Sequence, residues 1–166
     1  MVKLLKFPFF YQHSESTCGP ASLKMVFDFF GLKFNEKELA KKARTSNSGT
    51  KHASLIETAR KNGFYCYIHE KSSINHIKHF IDVGLPVIVN YIEPSGNEGH
   101  YAVVIGYGRN KIILNDPWNG KKFKMNHKEF KERWHDSHKN HSYYGWLMVL
   151  SNERFDIGRQ YAPSVR

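Results

Sequence analysis

The sequence predicts an α+β fold, in which an N-terminal helical part packs on a C-terminal antiparallel β-sheet. Apolar residues recur at helical spacing in the first third of the chain, strand-like runs begin after Gly63, and two of these runs flank a tight turn near Gly108. Helices followed by antiparallel strands are typical of α+β domains. Because 166 residues suit a single core, we expect one domain over residues 1–150 and a polar C-terminal tail over 151–166.

The helices are predicted from apolar spacing and from their end signals. The first helix presents four apolar residues on one face and ends at Gly31: Leu23, Val26, Phe27 and Phe30. Asn35 with Glu38 three residues later has capping-box spacing and opens a second helix. A third helix is expected over about 52–61. Later helices are predicted to begin after Ser72 or Ser73 and after Asn126.

The strands are predicted from apolar and aromatic runs bounded by turn residues. Six runs fit this description: 64–68, 87–92, 100–107, 111–115, 123–125 and 144–150. The runs 100–107 and 111–115 are joined by Gly108-Arg109-Asn110, which predicts a β-hairpin. These strands form the predicted antiparallel sheet.

The composition points to a globular protein that neither crosses a membrane nor binds nucleic acid. Lys and Arg number 25 against 15 Asp and Glu, which gives a net charge of +10. The basic residues fall in short clusters that we interpret as solvated surface, with binding of an acidic partner as the alternative. No aromatic-basic stacking motif supports nucleic-acid binding. No apolar run approaches the roughly 18 residues of a membrane span, and the N-terminus does not resemble a signal peptide, so we expect a cytoplasmic location.

Cys18 is the foremost candidate for a reactive residue. Pro20 fits only the first turn of a helix, which places Cys18 at the helix start. Free N–H groups and the helix dipole stabilise a thiolate there, as a nucleophile requires. The alternative is a buried small hydrophobic residue. Cys66, in an aromatic strand, is expected to be core, and we expect both thiols to stay reduced.

The hairpin supplies the groups that such a nucleophile needs. If the turn centres near Gly108, His100 and Asp116 lie eight residues to either side of it and roughly opposite each other, on one face unless a bulge intervenes. A carboxylate beside an imidazole fixes the tautomer and stabilises the imidazolium. Asp116 before Pro117 is also compatible with a simple turn.

Four stretches together resemble the C39 family of papain-like cysteine peptidases over about the first 150 residues. They are Gln12 five residues ahead of the run CGPA that begins at Cys18, GLPVIV from Gly84, HYAVVIG from His100, and NDP from Asn115. The resemblance implies a papain-like cysteine peptidase fold. It also implies that Cys18 is the nucleophile, His100 the general base and then acid, Asp116 the residue that orients His100, and Gln12 with the Cys18 N–H the oxyanion hole.

The resemblance also bears on partners and cofactors. It implies a peptide or protein substrate. We expect no cofactor and no metal. Well-known C39 domains cut double-glycine leader peptides as parts of peptide exporters, so association with an exporter is a possible partnership. This sequence itself contains neither an apolar span nor an ATP-binding Gly-rich loop. A peptide-binding module without turnover and an acyl transferase that uses the same thiol are the alternative functions.

Several residues near these motifs remain open to two interpretations. Gln12 either stabilises an oxyanion or only satisfies backbone groups. Trp118 and Tyr101 either line a substrate groove or pack in the core. The histidines at 135, 138 and 141 repeat every three residues, which suggests a metal site, but without a completing ligand pattern we expect a solvated, irregular segment there.

Overall fold

The fold is built on an eight-stranded antiparallel sheet that carries helices on both faces. The computed structural model describes residues 1–138 and 140–164. Its helices are α1 (Cys18–Phe29), α2 (Glu36–Lys42), α3 (His52–Lys61), α4 (Ile74–Asp82) and α5 (His127–Arg133). Its strands are β1 (Lys3–Leu4), β2 (Tyr65–His69), β3 (Val87–Ile92), β4 (Gly99–Tyr107), β5 (Lys111–Asp116), β6 (Gly120–Asn126), β7 (His135–His138), β8 (His141–Tyr144), β9 (Leu147–Ser151) and β10 (Gln160–Tyr161).

The strand order confirms the predicted α+β class. The sheet runs β10-β2-β9-β3-β4-β5-β6, and β1 pairs with β4. Neighbouring strands are antiparallel throughout. None of the helices in the described part of the chain is both long and apolar enough to cross a membrane.

The sheet separates two hydrophobic clusters, and β4 contributes to both. Tyr101, Val103 and Ile105 pack with the apolar faces of α1, α2 and α3, whereas Ala102 and Val104 pack on the other face with α4 and α5. This alternation follows from the two-residue repeat of a strand. The N-terminal helices therefore lie on one face of the sheet, as predicted.

The predicted helix starts are confirmed by their caps. Asn35 accepts a hydrogen bond from the Glu38 N–H at 2.8 Å in a complete capping box. Ser73 caps α4, and the Asn126 side chain accepts from the Glu129 N–H at 2.8 Å at the start of α5. Each cap satisfies a backbone donor that the helix itself leaves unpaired.

The segment of late histidines differs from the prediction. Instead of an irregular segment it forms the separate hairpin β7–β8, with His135 opposite Tyr144 and His138 opposite His141. The Asp136 carboxylate anchors this hairpin by accepting a hydrogen bond from Asn90 Nδ2 on β3 at 2.9 Å. The expectation was wrong because this hairpin is held by backbone pairing and a polar anchor, without the apolar alternation that marks strands in a sequence.

The C-terminal segment adds an edge strand to the sheet. In β10, Gln160 pairs with Tyr67 of β2, and the Gln160 side chain bonds the backbone N–H and carbonyl of Phe155 at 2.9 and 2.8 Å. The predicted boundary between a domain over 1–150 and a tail over 151–166 stays a prediction. β9 crosses it by one residue, ending at Ser151.

Candidate active site

Cys18 is the first residue of α1, and its thiol lies against strand β4. The side chain is 8% exposed, and the Tyr101 backbone N–H donates to Sγ at 3.4 Å. The N-cap residue Thr17 makes no side-chain cap, and the first turn contains no acidic residue. The positive end of the helix dipole at Cys18 is therefore not offset by an acidic side chain in the first turn of α1.

His100 lies between this thiol and a buried carboxylate. It is 5% exposed, and its Nε2 contacts Asp116 Oδ1 at 2.7 Å. Burial lowers the pKa of His100, but the hydrogen bond with Asp116, the neighbouring Cys18 thiol and the attraction of both groups outweigh burial and raise the pKa above its ordinary value. Because Asp116 occupies Nε2, Nδ1 is the ring nitrogen left to the thiol.

His100 and Asp116 meet diagonally instead of as direct strand partners. Val103 pairs with Asn115, but the register shifts between Val104 and Gly106. Continuing the pairing of Val103 places Asp116 opposite Ala102, two residues from His100. The predicted symmetry about Gly108 was wrong because the turn centres between Arg109 and Asn110, so that Tyr107 pairs with Ile112. The bulge then shifts the register by one residue and leaves His100 and Asp116 as diagonal neighbours on one face, within reach of a long side chain.

Asp116 is fully buried and accepts hydrogen bonds on both oxygens. Oδ1 accepts from the N–H groups of Trp118 and Asn119 at 2.9 Å each, in addition to His100. Oδ2 accepts from the Tyr91 hydroxyl and from Asn119 Nδ2 at 3.3 Å. Burial alone raises the pKa of Asp116, but these bonds and the charge of His100 lower it overall. The carboxylate therefore stays ionised and fixed.

Tyr91 and Asn119 were not identified from the sequence. Tyr91 is fully buried on β3 directly opposite His100, and burial with the adjacent carboxylate raises the pKa of its phenol far above the usual value. It therefore remains a hydrogen-bond donor. The signal that would have found it is the register of β3 against β4, which places an aromatic hydroxyl on the face that carries His100 and Asp116.

Gln12 and His100 line the same surface cleft, but the Gln12 amide nitrogen points toward its own loop. Gln12 N donates to the Pro117 carbonyl at 3.0 Å, which ties this loop to the end of β5. Nε2 donates to the Ser14 carbonyl at 2.7 Å, and Oε1 is buried without a partner among the described residues. One amide N–H is thus occupied. An oxyanion role for Gln12 stays a prediction.

Two openings flank these residues. The first, which we name the Trp118 cleft, has a volume of about 190 Å³ and is lined by Gln12, His100, Trp118 and three carboxylates. The second, the His52 groove, has a volume of about 590 Å³ and lies between residues 46–53 and the β7–β8 hairpin. Trp118 is 47% exposed in its cleft. Tyr101, by contrast, is buried in the core.

Tyr101 links the nucleophile to the His52 groove. Its hydroxyl donates to the Thr50 carbonyl at 2.9 Å and also contacts His52 Nδ1. His52 stacks on Trp146, and burial together with the nearby imidazoles of His138 and His141 lowers its pKa to about 3. His52 is therefore neutral at physiological pH. His52 was not identified from the sequence, because a histidine at a helix start gives no sign of burial.

The remaining thiol lies in the core, and His138 lines the His52 groove. Cys66 is fully buried, and burial raises the pKa of its thiol to about 12, in agreement with a core role. His138 contacts the Asp136 carboxylate at 3.4 Å. Within the part of the chain that the structure describes, no group of three or more His, Cys, Asp or Glu side chains is arranged to hold a metal ion.

Comparison with known proteins gives one consistent family. Residues 6–138 match the sequence model of the peptidase C39 family. The chain is 29% identical over 124 residues to the transport/processing ATP-binding protein ComA of Streptococcus pneumoniae, an alignment that covers 74% of this chain and 17% of ComA. The chain thus spans about a sixth of the length of that relative.

Solved structures agree with this match. The peptidase domain of Streptococcus ComA, described as a bifunctional ABC transporter in a quorum-sensing pathway, superposes with a TM-score of 0.71 at 26% identity, over 91% of this chain and 98% of that domain. A double-glycine-motif protease from an AMS/PCAT transporter, solved with its leader peptide, has the same fold. Its TM-score is 0.70 at 21% identity, and the alignment covers 89% of this chain and 92% of that chain.

Proposed function

This chain belongs to the peptidase C39 family, and from that premise we propose that it cleaves peptide bonds with Cys18 as nucleophile and His100 and Asp116 as its partners. The observation that carries the proposal is the position of the His100 imidazole, which interacts with the helix-start thiol and bonds Asp116 through Nε2 at 2.7 Å. A thiol, an imidazole and an orienting carboxylate in this order are the requirements of covalent acyl transfer.

We propose a thiolate–imidazolium pair as the resting state of the site. The raised pKa of His100 favours the imidazolium at neutral pH, and the start of α1 favours the thiolate. Asp116, which is held by donors on both oxygens, fixes the orientation of the ring and stabilises its charge.

The reaction follows from this pair. Cys18 Sγ attacks the scissile carbonyl carbon, and the carbonyl electrons move onto oxygen to form an oxyanion near the Cys18 N–H and Gln12. When the oxyanion collapses, the C–N bond breaks and the His100 imidazolium gives its proton to the departing amine. A thioester remains on Cys18. Neutral His100 then takes a proton from water, the hydroxide attacks the thioester, and the acid product leaves with the thiolate regenerated.

The proposed substrate is a leader-type peptide with a double-glycine site. This proposal is supported by the family and by the likeness to a double-glycine-motif protease solved with its leader peptide. ComA and the lactococcin-G-processing protein LagD are named as combined processing and transport proteins. We therefore propose that this peptidase acts on peptides destined for export and associates with an exporter.

The test is cleavage of a synthetic peptide that contains one Gly-Gly site. We expect two products separated after the second glycine, detected by mass spectrometry, and complete loss of cleavage in Cys18→Ala. Cys66→Ala is the matched control and should retain activity, because Cys66 is a core thiol. Cleavage that persists in Cys18→Ala would overturn the assignment.

The same assay separates the alternative functions. In a transferase, the acyl group of the thioester passes preferentially to amines, so added amine acceptors would give aminolysis products. A peptide-binding module would bind the peptide equally well with and without the Cys18 thiol and yield no product over long incubation. Our proposal requires product with water as acceptor.

A further inference from the structure

We infer that the site selects peptides by the charges on either side of the scissile bond. It prefers an acidic side chain on the acyl half and a basic residue on the departing half. This inference rests on the proposed function, because the Trp118 cleft and the His52 groove adjoin the residues proposed to react. It adds the class of peptide that the site prefers.

The orientation of the peptide follows from His100. The imidazole gives its proton to the departing amine, and His100 lines the Trp118 cleft. The departing half of the substrate therefore enters this cleft. The His52 groove lies on another side of the nucleophile, and its lining residue Thr50 packs against Gly19, the residue after Cys18. A peptide that extends through both openings places its acyl half in the His52 groove.

The Trp118 cleft carries negative charge in a chain whose net charge is +10. Glu15, Glu93 and Glu98 line it, and among its described lining residues there is no Lys or Arg. Glu93 is fixed by hydrogen bonds from Ser95 and from Asn119 Nδ2, and these bonds outweigh burial and lower its pKa, so the carboxylate stays ionised. The half-exposed Trp118 ring offers a face to a cation.

The His52 groove has the opposite character. Lys51 lines it as the N-cap of α3, and no acidic side chain occurs among the lining residues that the structure describes. The ten-residue helix α3 has no side-chain cap and no acidic residue in its first turn. The N–H groups of His52 and Ala53 therefore have no intrahelical acceptor, and the positive end of the dipole faces the groove. A carboxylate fits this end.

His52 is an independent sign that the groove binds a ligand. It is 7% exposed, lines the groove, and its Nε2 has no partner among the described residues. The Tyr101 hydroxyl has one proton, which must lie toward the Thr50 carbonyl 2.9 Å away because that oxygen has none to give. His52 Nδ1 therefore carries the proton toward Tyr101, and Nε2 is an acceptor. A peptide N–H of the acyl half supplies the missing donor.

The length of an extended chain sets where the acidic residue stands. Residues in an extended chain advance about 3.3 Å each, and the groove begins beside Gly19 and extends to the start of α3. Because the two residues before the bond are glycines, we place the acidic side chain about three or four residues before the scissile bond. The basic residue directly follows the bond, beside the cleft carboxylates.

The test uses four peptides with the same Gly-Gly site. They carry Glu or Lys at the third residue before the bond, combined with Lys or Glu directly after it. We expect kcat/KM to be about tenfold higher for Glu before and Lys after than for the reverse, with the difference shrinking at high salt. Affinity for the same peptides is measured in Cys18→Ala, so that the preference is read even without turnover.

Charge reversals assign each preference to its opening. Lys51→Glu should invert the acyl-side preference alone, and the double change Glu15→Lys with Glu98→Lys should invert the departing-side preference alone. Lys128→Glu, an exposed reversal that lines neither opening, should change neither. Equal cleavage and equal affinity for all four peptides would overturn this inference and leave the proposed function intact. Charge-dependent binding without any cleavage would retain the inference and overturn the peptidase.

Discussion

Tyr91→Phe removes a single hydroxyl and keeps the aromatic ring that fills the buried space on β3. That hydroxyl donates to Asp116 Oδ2, and both residues are fully buried. Water therefore cannot replace the lost donor. A hydrogen bond to a charged group contributes about 1.5–3 kcal/mol, and we expect the free energy of unfolding to fall by roughly that amount at neutral pH.

The pH dependence of this loss identifies its cause. The pKa of Asp116 is lower in the folded chain than its ordinary value of 3.8. Its contribution to stability is therefore fully present above that value and is lost as the pH falls through the folded-state pKa. The difference between Tyr91→Phe and the wild type should accordingly shrink in acid. Urea unfolding followed by tryptophan fluorescence at several pH values measures it.

Tyr107→Phe is the matched control. The Tyr107 hydroxyl also donates to a carboxylate, Asp82, at 2.6 Å, but this pair is exposed. Its removal should cost less stability than removal of the Tyr91 hydroxyl, because water takes over the bond. A Tyr91→Phe variant that is destabilised no more than Tyr107→Phe, or by the same amount in acid as at neutral pH, would refute the proposed contribution of the Tyr91 hydroxyl.

Three further predictions concern activity. Gln12→Ala should lower kcat by roughly 10²–10³ with little change in KM, since one oxyanion donor is worth about 3 kcal/mol, and an unchanged kcat would remove Gln12 from the mechanism. Asp116→Ala removes the hydrogen bond that raises the pKa of His100 most. We expect kcat/KM to fall about 10²-fold or more, and the alkaline limb of its pH profile to move to lower pH. An alkaline limb at the wild-type pH would contradict this. Gly99→Ala adds a Cβ that overlaps the Asp136 carboxylate beside His100, and a folded variant should lose peptidase activity by steady-state assay; full activity would show that the β7–β8 hairpin does not support the site.

The parts of the fold set by local signals were predictable from the sequence. Pro20 and the apolar spacing after it placed Cys18 at the start of α1, and Asn35 and Asn126 marked helix starts by their capping geometry. The hairpin around Gly108 followed from its turn residues. These features depend on neighbours within a few residues, which is why a single sequence contains them.

The parts set by long-range packing were not predictable. The bulge between Val104 and Gly106 determines how His100 meets Asp116, and no residue in the sequence marks it. Tyr91 joins the site only through the register of β3 against β4. The contact of Cys18 with Tyr101 spans 83 residues of chain and was not predicted. Only the resemblance to a family suggested that Cys18 lies near His100, the neighbour of Tyr101.

The most direct test of the account is the rate of Cys18 alkylation by iodoacetamide as a function of pH, followed by peptide mapping in a Cys66→Ala background. If Cys18 and His100 form a thiolate–imidazolium pair, the rate at about pH 6 should remain close to that at about pH 8, and His100→Ala should lose most of the rate at the lower pH. Identical pH profiles in the two proteins would contradict the pair, and with it the proposed chemistry of this site.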